Sequence, residues 1–246
     1  MLKYSLLFAC LGICTMSSAQ GFPPAGQLDA KLHAAVPEYN VTGYTFIGAL
    51  LRVADEFQIP LGVEWIATPS AIEKLSLSWH DTSVMNIVEA IVHSQPGYEL
   101  RVDGSILHIT STAIPNGQNF LNLTVHSFDV QDQVVQIAER ELKGAIVATV
   151  APQKLGGILG SLGTSPNEPN ITIKREDASV RENLDSIITV SRKKIWVVTF
   201  VENFVLTATG FRRTISLWSD APVPDSEQPF WDMFSWNEPL AALNAN

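Results

Sequence analysis

Five histidines, His33, His80, His93, His108 and His126, are the first residues that could hold a metal or move a proton. No two of them stand four apart, so no helix presents a His-x-x-x-His pair to one ion. His80 and His108 fall at strand ends or on alternating strand faces, where ordinary surface histidines are the expectation. The two cysteines, Cys10 and Cys14, lie too near the start to complete a zinc set. A serine nucleophile would prefer a Gly-x-Ser-x-Gly elbow, and Gly160-Ser161-Leu162-Gly163 lacks that spacing. Gly156 and Gly157 have no Gly-Lys-Ser/Thr after them, which removes a phosphate loop. Acid–base work needs two carboxylates held across a cleft. Glu139 and Glu141 share a helical turn instead, and Glu176 and Asp177 stand where charge favours a helix start. The expectation is a protein that is not an enzyme, with no catalytic set, no metal and no cofactor.

Other residue types suit recognition. The last segment, residues 220–246, is acidic, proline-containing and aromatic, and it brings Phe230, Trp231, Phe234, Trp236 and Leu240 close together. These five are the candidate partner-binding residues. Their spacing can make one helical face on binding, or the aromatics can pack back and seal an edge of the preceding domain. Basic residues cluster at Arg192-Lys193-Lys194 and Arg212-Arg213, either as charges favourable to a helix end or as a patch for an acidic partner. Trp65, Trp79 and Trp218 offer flat apolar surface of the kind a sugar ring uses.

Charge narrows the partners. Lys and Arg number 16 against 25 Asp and Glu, a net charge of −9, which argues against nucleic acid. The first nineteen residues have a basic start at Lys3, an apolar run from Tyr4 to Cys14, and small residues Ser17 and Ala19 ahead of Gln20. That is the pattern of a cleaved secretory signal peptide over 1–19. Cleavage there would remove both cysteines and leave a chain without thiol chemistry. Phe8 makes the alternative, a lipoprotein starting at Cys10, the minor reading. Export to the periplasm is the expectation.

The elements that must position these residues recur along the chain. Leu75 to Val92 (LSLSWHDTSVMNIVEAIV) and Ile171 to Ile188 (ITIKREDASVRENLDSII) match at an offset of 96. In both, alternating apolar residues of a strand give way to helical spacing after a serine, Ser83 or Ser179, placed to cap the helix. Upstream, at an offset of 84, Thr45 aligns with Asp129 as helix caps, and LGVEW (61–65) and AIVAT (145–149) read as strands. Each copy is then expected to run strand, helix, strand, strand, helix, strand, strand, with the first strand at 30–36 and its second-copy partner at 120–128. Asp103-Gly104 supplies a hairpin turn, and IWVVTFV (195–201) reads as a strand covered on both faces. The fold class is α+β: two tandem βαββαββ domains, each with two helices packed against small mixed sheets. They span 28–111 and 120–219, with a linker at 112–119 and a loop insertion at 151–170.

The runs FDVQDQVVQIAEREL (128–142), TFIGALLRVADEFQIPLGVEW (45–65) and LSLSWHDTSVMNIVEAIV (75–92) resemble the short N-terminal (STN) domain of secretins and TonB-dependent receptors. The resemblance covers most of the first copy and, less closely, the second. It implies two helices between small sheets and a role in protein contact in the periplasm, with no catalytic residues to carry over. Nothing after residue 219 reads as a secretin pore or a receptor barrel. The chain is therefore expected to be an exported envelope protein-interaction module, an adaptor for a secretion or outer-membrane transport assembly. Its partner would be an envelope protein, and it would meet a membrane only indirectly. The alternative is a binding protein for a nonprotein envelope ligand such as peptidoglycan or glycan.

Overall fold

Leu28 and Leu32 stand one helical turn apart, both are buried, and they place the first element in a helix rather than the strand expected at 30–36. The computed structural model describes residues 25–67, 73–114, 119–150, 170–191, 195–203, 210–218 and 234–237. Helix α1 (Ala25–Leu32) leads into strand β1 (Ala35–Tyr44), helix α2 (Phe46–Glu56) and strand β2 (Leu61–Ala67). Strand β3 (Leu75–Ser83), helix α3 (Val84–His93) and the hairpin β4 (Tyr98–Asp103) and β5 (Ile106–Ser111) follow. A 3-10 turn (Phe120–Asn122) precedes strand β6 (Thr124–Gln133) and helix α4 (Val135–Val150). Then come strand β7 (Ile171–Ser179), helix α5 (Val180–Val190) and strands β8 (Ile195–Asn203), β9 (Gly210–Trp218) and β10 (Phe234–Asn237). The signal segment 1–19 and nearly all of the insertion 151–170 lie outside the described residues, as do residues 115–118 of the linker 112–119.

The mixed α/β character is as expected, and the described residues contain five α-helices. The sheets are arranged differently: instead of closing separately in each copy, the largest takes strands from both segments, in the order β10-β9-β8-β2-β5-β4. At its centre β2 runs parallel to β5 on one side and to β8 on the other. Both faces of these strands are covered. Leu61 and Val63 of β2, Leu107 and Ile109 of β5, and Ile195 and Val197 of β8 join one core with α1, α2 and α3. Ile106, Trp196 and Val198 join a second core with α4 and α5. Alternate residues of one sheet thus serve two helical layers, as strand periodicity requires. The reading of IWVVTFV as a strand covered on both sides agrees at Ile195, Trp196, Val197 and Val198.

Each helical layer also carries a two-stranded antiparallel ribbon, β1 with β3 and β6 with β7. Val36, Tyr39 and Val41 are the buried positions of β1, and Val125, Phe128 and Val130 those of β6. Both ribbons shift register near the ends of their first strands, where Gly43 and Asp132 have positive φ. These matches set the first strands in correspondence at an offset of 89, not 84. Asp129 therefore lies inside β6 and caps nothing. The residue preceding α4 is Val134, which contributes only its carbonyl, accepting Ile137 N–H at 3.0 Å and Ala138 N–H at 3.2 Å. AIVAT is likewise not a strand. Val135, Ala138, Leu142 and Ile146 continue one buried helical stripe through it, and that stripe outweighs the β-branched residues between.

The capping serines behave as expected: Ser83 Oγ accepts from Asn86 N–H, and Ser179 Oγ accepts from Glu182 N–H. The Asp103-Gly104 hairpin forms, with Gly104 at φ 59°.

Gly62 of β2 leaves room for the indole of Trp196, its cross-strand partner on β8. A Cβ there would stand 2.4 Å from Cζ2 of the fully buried Trp196. Substituting Gly62→Ala is expected to destabilise the protein by about 1–3 kcal/mol, since the indole has no free space to enter. Urea denaturation of the two proteins checks this; an unchanged midpoint would mean that the ring moves aside freely.

Candidate interaction site

Glu64 is the one charged residue in the apolar strand LGVEW, and its side chain is only 1% exposed. A carboxylate buried this deeply must find partners, and here they come from distant parts of the chain. Its Oε2 accepts the Ser111 backbone N–H at 3.3 Å and Asn119 Nδ2 at 3.0 Å, while Oε1 accepts from the Arg181 guanidinium on α5. Asn119 in turn holds the start of the 3-10 turn by accepting Leu121 N–H at 3.1 Å. One side chain thus ties β2, the end of β5, the approach to β6, and α5 together. Tyr98 lies close by and accepts Ile66 N–H at 2.9 Å. Burial, and to a lesser degree the Glu64 charge, pushes the Tyr98 phenol upward against that hydrogen bond.

One turn along α5, Asp185 is fixed from behind. Its Oδ1 accepts Trp196 Nε1–H at 2.7 Å, and its Oδ2 stands 3.4 Å from His108 Nε2. The geometry at His108 falls short of a hydrogen bond, so that nitrogen is held only at ion-pair distance. The His108 ring meets Trp196 edge-on, with centroids 5.6 Å apart. This corrects the expectation of a surface histidine: His108 is buried, whereas His80 is exposed. Residue 108 lies on the β5 face that packs against α5, where the imidazole is shielded by the helix.

Asp185 also borders a cleft of about 500 Å³ between the β4–β5 turn, β7 and α5. Asp103, Gly104, Arg175, Glu182 and Val190 line it as well. Glu182 is held by the capping box, its Oε2 accepting Ser179 N–H at 2.7 Å and Ser179 Oγ–H at 2.8 Å. The Ser179 backbone bond, then the Ser179 hydroxyl bond and the Arg175 charge, keep this carboxyl below the usual glutamate range. The cleft therefore presents three carboxylates and one guanidinium. That arrangement can attract and orient a cation. Among the described residues no group of three histidine, cysteine, aspartate or glutamate side chains could hold a metal ion.

Of the five aromatic and aliphatic residues expected to bind a partner, Phe230, Trp231 and Leu240 lie outside the described residues. Phe234 and Trp236 fall in β10, where their backbones pair with Ile215 and Arg213 of β9. The local backbone is thus a strand added to a sheet edge, not a turn of helix. Arg212 and Arg213 belong to β9, and Arg192, Lys193 and Lys194 lie outside the described residues. Sequence reasoning missed Glu64, His108, Arg181 and Asp185. The available signal was a lone acid and a lone imidazole inside apolar strands, which demand buried partners wherever the strand is covered on both faces.

No protein-family model matches this chain, and no curated protein or solved structure matches it either. No helix among the described residues is long and apolar enough to cross a membrane.

Two consequences are measurable. Arg181→Met strands the Glu64 carboxylate and is expected to cost about 3–5 kcal/mol, whereas Glu64→Leu combined with Arg181→Met recovers most of the loss. A double-mutant cycle by chemical denaturation checks this, and additive losses would sever the pair. The depressed Glu182 carboxyl stabilises the fold above the ordinary glutamate range, and that stabilisation is lost as pH falls through its folded value. The stability margin of the wild type over Glu182→Gln is therefore expected to shrink as the buffer is acidified below that range. A margin independent of pH would contradict the charged capping box.

Proposed function

We propose that this chain is an exported protein-interaction module of the cell envelope, built from two copies of one strand–helix unit. The duplication is supported by the shared burial pattern of β1 and β6 and the serine caps of α3 and α5. Positive φ at Gly43 and Asp132, and at Asp81 and Asp177, adds equivalent backbone kinks in the two ribbons. The export reading rests on the signal pattern of residues 1–19, and the envelope setting on the resemblance to the short N-terminal domain of secretins and receptors.

The observation that carries the interaction reading is the position of exposed apolar surface. Among the described residues the two exposed large hydrophobic side chains are Val102 and Val190. Val190 lines the cleft at Asp185, and Val102 stands at the β4 edge on the opposite face of the sheet, paired with Leu107. Apolar side chains left in water beside an oriented polar cleft suit a protein contact better than a solvated surface. As an adaptor, the module would hold a component of a secretion or outer-membrane transport assembly. The alternative is a binding protein for a nonprotein envelope ligand such as peptidoglycan or glycan.

Crosslinking the full chain in intact cells, beside a version ending at Asp220, separates these readings. A discrete envelope protein captured reproducibly is the expected outcome, and loss of capture on truncation would add the tail to the contact. Cosedimentation with purified sacculi, without protein capture, would overturn the interaction reading in favour of the glycan.

A further inference from the structure

The six-stranded sheet ends at β4, and among the described residues no strand pairs with its outer side. Such an edge carries main-chain N–H and C=O groups ready to receive another strand. Residues Glu99, Arg101, Val102 and Asp103 are all exposed, while Leu100 packs against the first core. The strand delivers its last residue, Asp103, directly to the cleft, where Glu182 and Asp185 outnumber Arg175. At the opposite wall, Val190 is 44% exposed, and Val102 beside Asp103 is 51% exposed. Val102 pairs with Leu107 and so lies on the first-core face of the edge, while Asp103 pairs with Ile106 and joins Glu182, Asp185 and Val190 on the second-core face.

We propose that β4 and the cleft at its Asp103 end form a single docking site for an extended, basic segment of a protein partner. The segment pairs its main chain with β4, covers Val102 with apolar side chains on one face, and seats a lysine or arginine among the cleft carboxylates on the other. The site rests on the protein-interaction reading above and adds the conformation and charge of what is bound. Asp185 suits this role because Trp196 Nε1–H fixes its orientation before any ligand arrives, so little freedom is lost on binding. The charge follows from three carboxylates against one guanidinium in the cleft, and the whole chain, at −9, favours approach by a cation. A second copy of this chain is a poor occupant. A self-paired β4 brings one arginine, Arg101, together with Glu99 and Asp103, so it adds more acid than base beside the cleft.

The test uses the full chain and a fluorescein-labelled hexapeptide of alternating lysine and valine, with its glutamate–valine counterpart as control. Fluorescence anisotropy is expected to show binding of the lysine peptide that weakens with salt, and none of the glutamate peptide. Asp185→Asn and, should that variant fold poorly, the exposed Asp103→Asn are each expected to weaken binding about tenfold. Two further peptides, N-methylated on alternate residues in opposite phase, test the main-chain pairing. One phase is expected to bind and the other to lose at least about tenfold, because only one set of amides faces the edge. Amide exchange should slow along residues 98–103 when the lysine peptide is present.

Equal binding of both N-methylated peptides, exchange protection confined to other elements, or no binding at millimolar concentration would each overturn the site. So would self-association abolished by Val102→Lys and unaffected by the lysine peptide. Capture of an envelope protein in cells together with any of these results leaves the interaction reading standing and removes only the β4 site. Absence of protein capture removes the reading on which it rests.

Discussion

Strand β2 is seven residues long, and it is enclosed on every side: β5 and β8 hold its edges, and a helical layer covers each face. That enclosure constrains each position differently. Leu61 and Val63 fill the first core. Gly62 leaves room for Trp196 to lie against the backbone, which no side chain would permit. Glu64 brings a charge into the second face, so everything packed over that face must answer it. The parallel pairings of β2 need crossover connections, and α3 with the β4–β5 hairpin, then α4 and α5, provide chain that covers the faces those pairings bury.

The answer to Glu64 is Arg181, with Ser111 and Asn119 occupying the remaining acceptor positions. A well-packed apolar pair could fill the same volume with equal or greater stability. What the charged pair adds is a penalty on every other docking of α5 against the sheet, because a shifted helix leaves a buried carboxylate without its cation. The same helix carries Asp185 one turn later and presents it to Trp196 on β8 and His108 on β5. Fixing α5 through Glu64 therefore also fixes the carboxylate that borders the cleft. Structural specificity and site geometry depend on one helix in one register.

Signals confined to a few neighbouring residues were legible in the sequence. Ser83 and Ser179 cap helices because an N-cap needs only a hydroxyl and the next three residues, and Asp103-Gly104 turns because the turn is complete within itself. The 3.6-residue spacing in α2, α3 and α5 was equally plain. Failures came where two periodicities overlapped or where partners were remote. AIVAT carries β-branched residues, but its helical fate depends on Ala138, Leu142 and Ile146 sharing a core face. Pairing the helical AIVAT with the strand LGVEW displaces the correspondence by five residues, whereas the burial pattern of Val36, Tyr39 and Val41 against Val125, Phe128 and Val130 sets it at 89. Glu64 and Arg181 are 117 residues apart, and nothing local announces that they meet.

The sharing of the large sheet also explains why the site lies where it does. If each copy closed its own sheet, the β4–β5 turn and α5 would belong to separate bodies, and no cleft between them would keep a constant shape. Joining β2 to β8 places the hairpin of the first segment beside the helix of the second. At the sheet's end, β4 alternates charge along its exposed residues, with Glu99 and Asp103 on either side of Arg101. Mixed charge on an edge discourages indiscriminate strand pairing while leaving the main-chain groups available. An edge protected in this way accepts a neighbour only when its side chains compensate those charges, and the fixed carboxylate at its end sets the sign that the neighbour must bring.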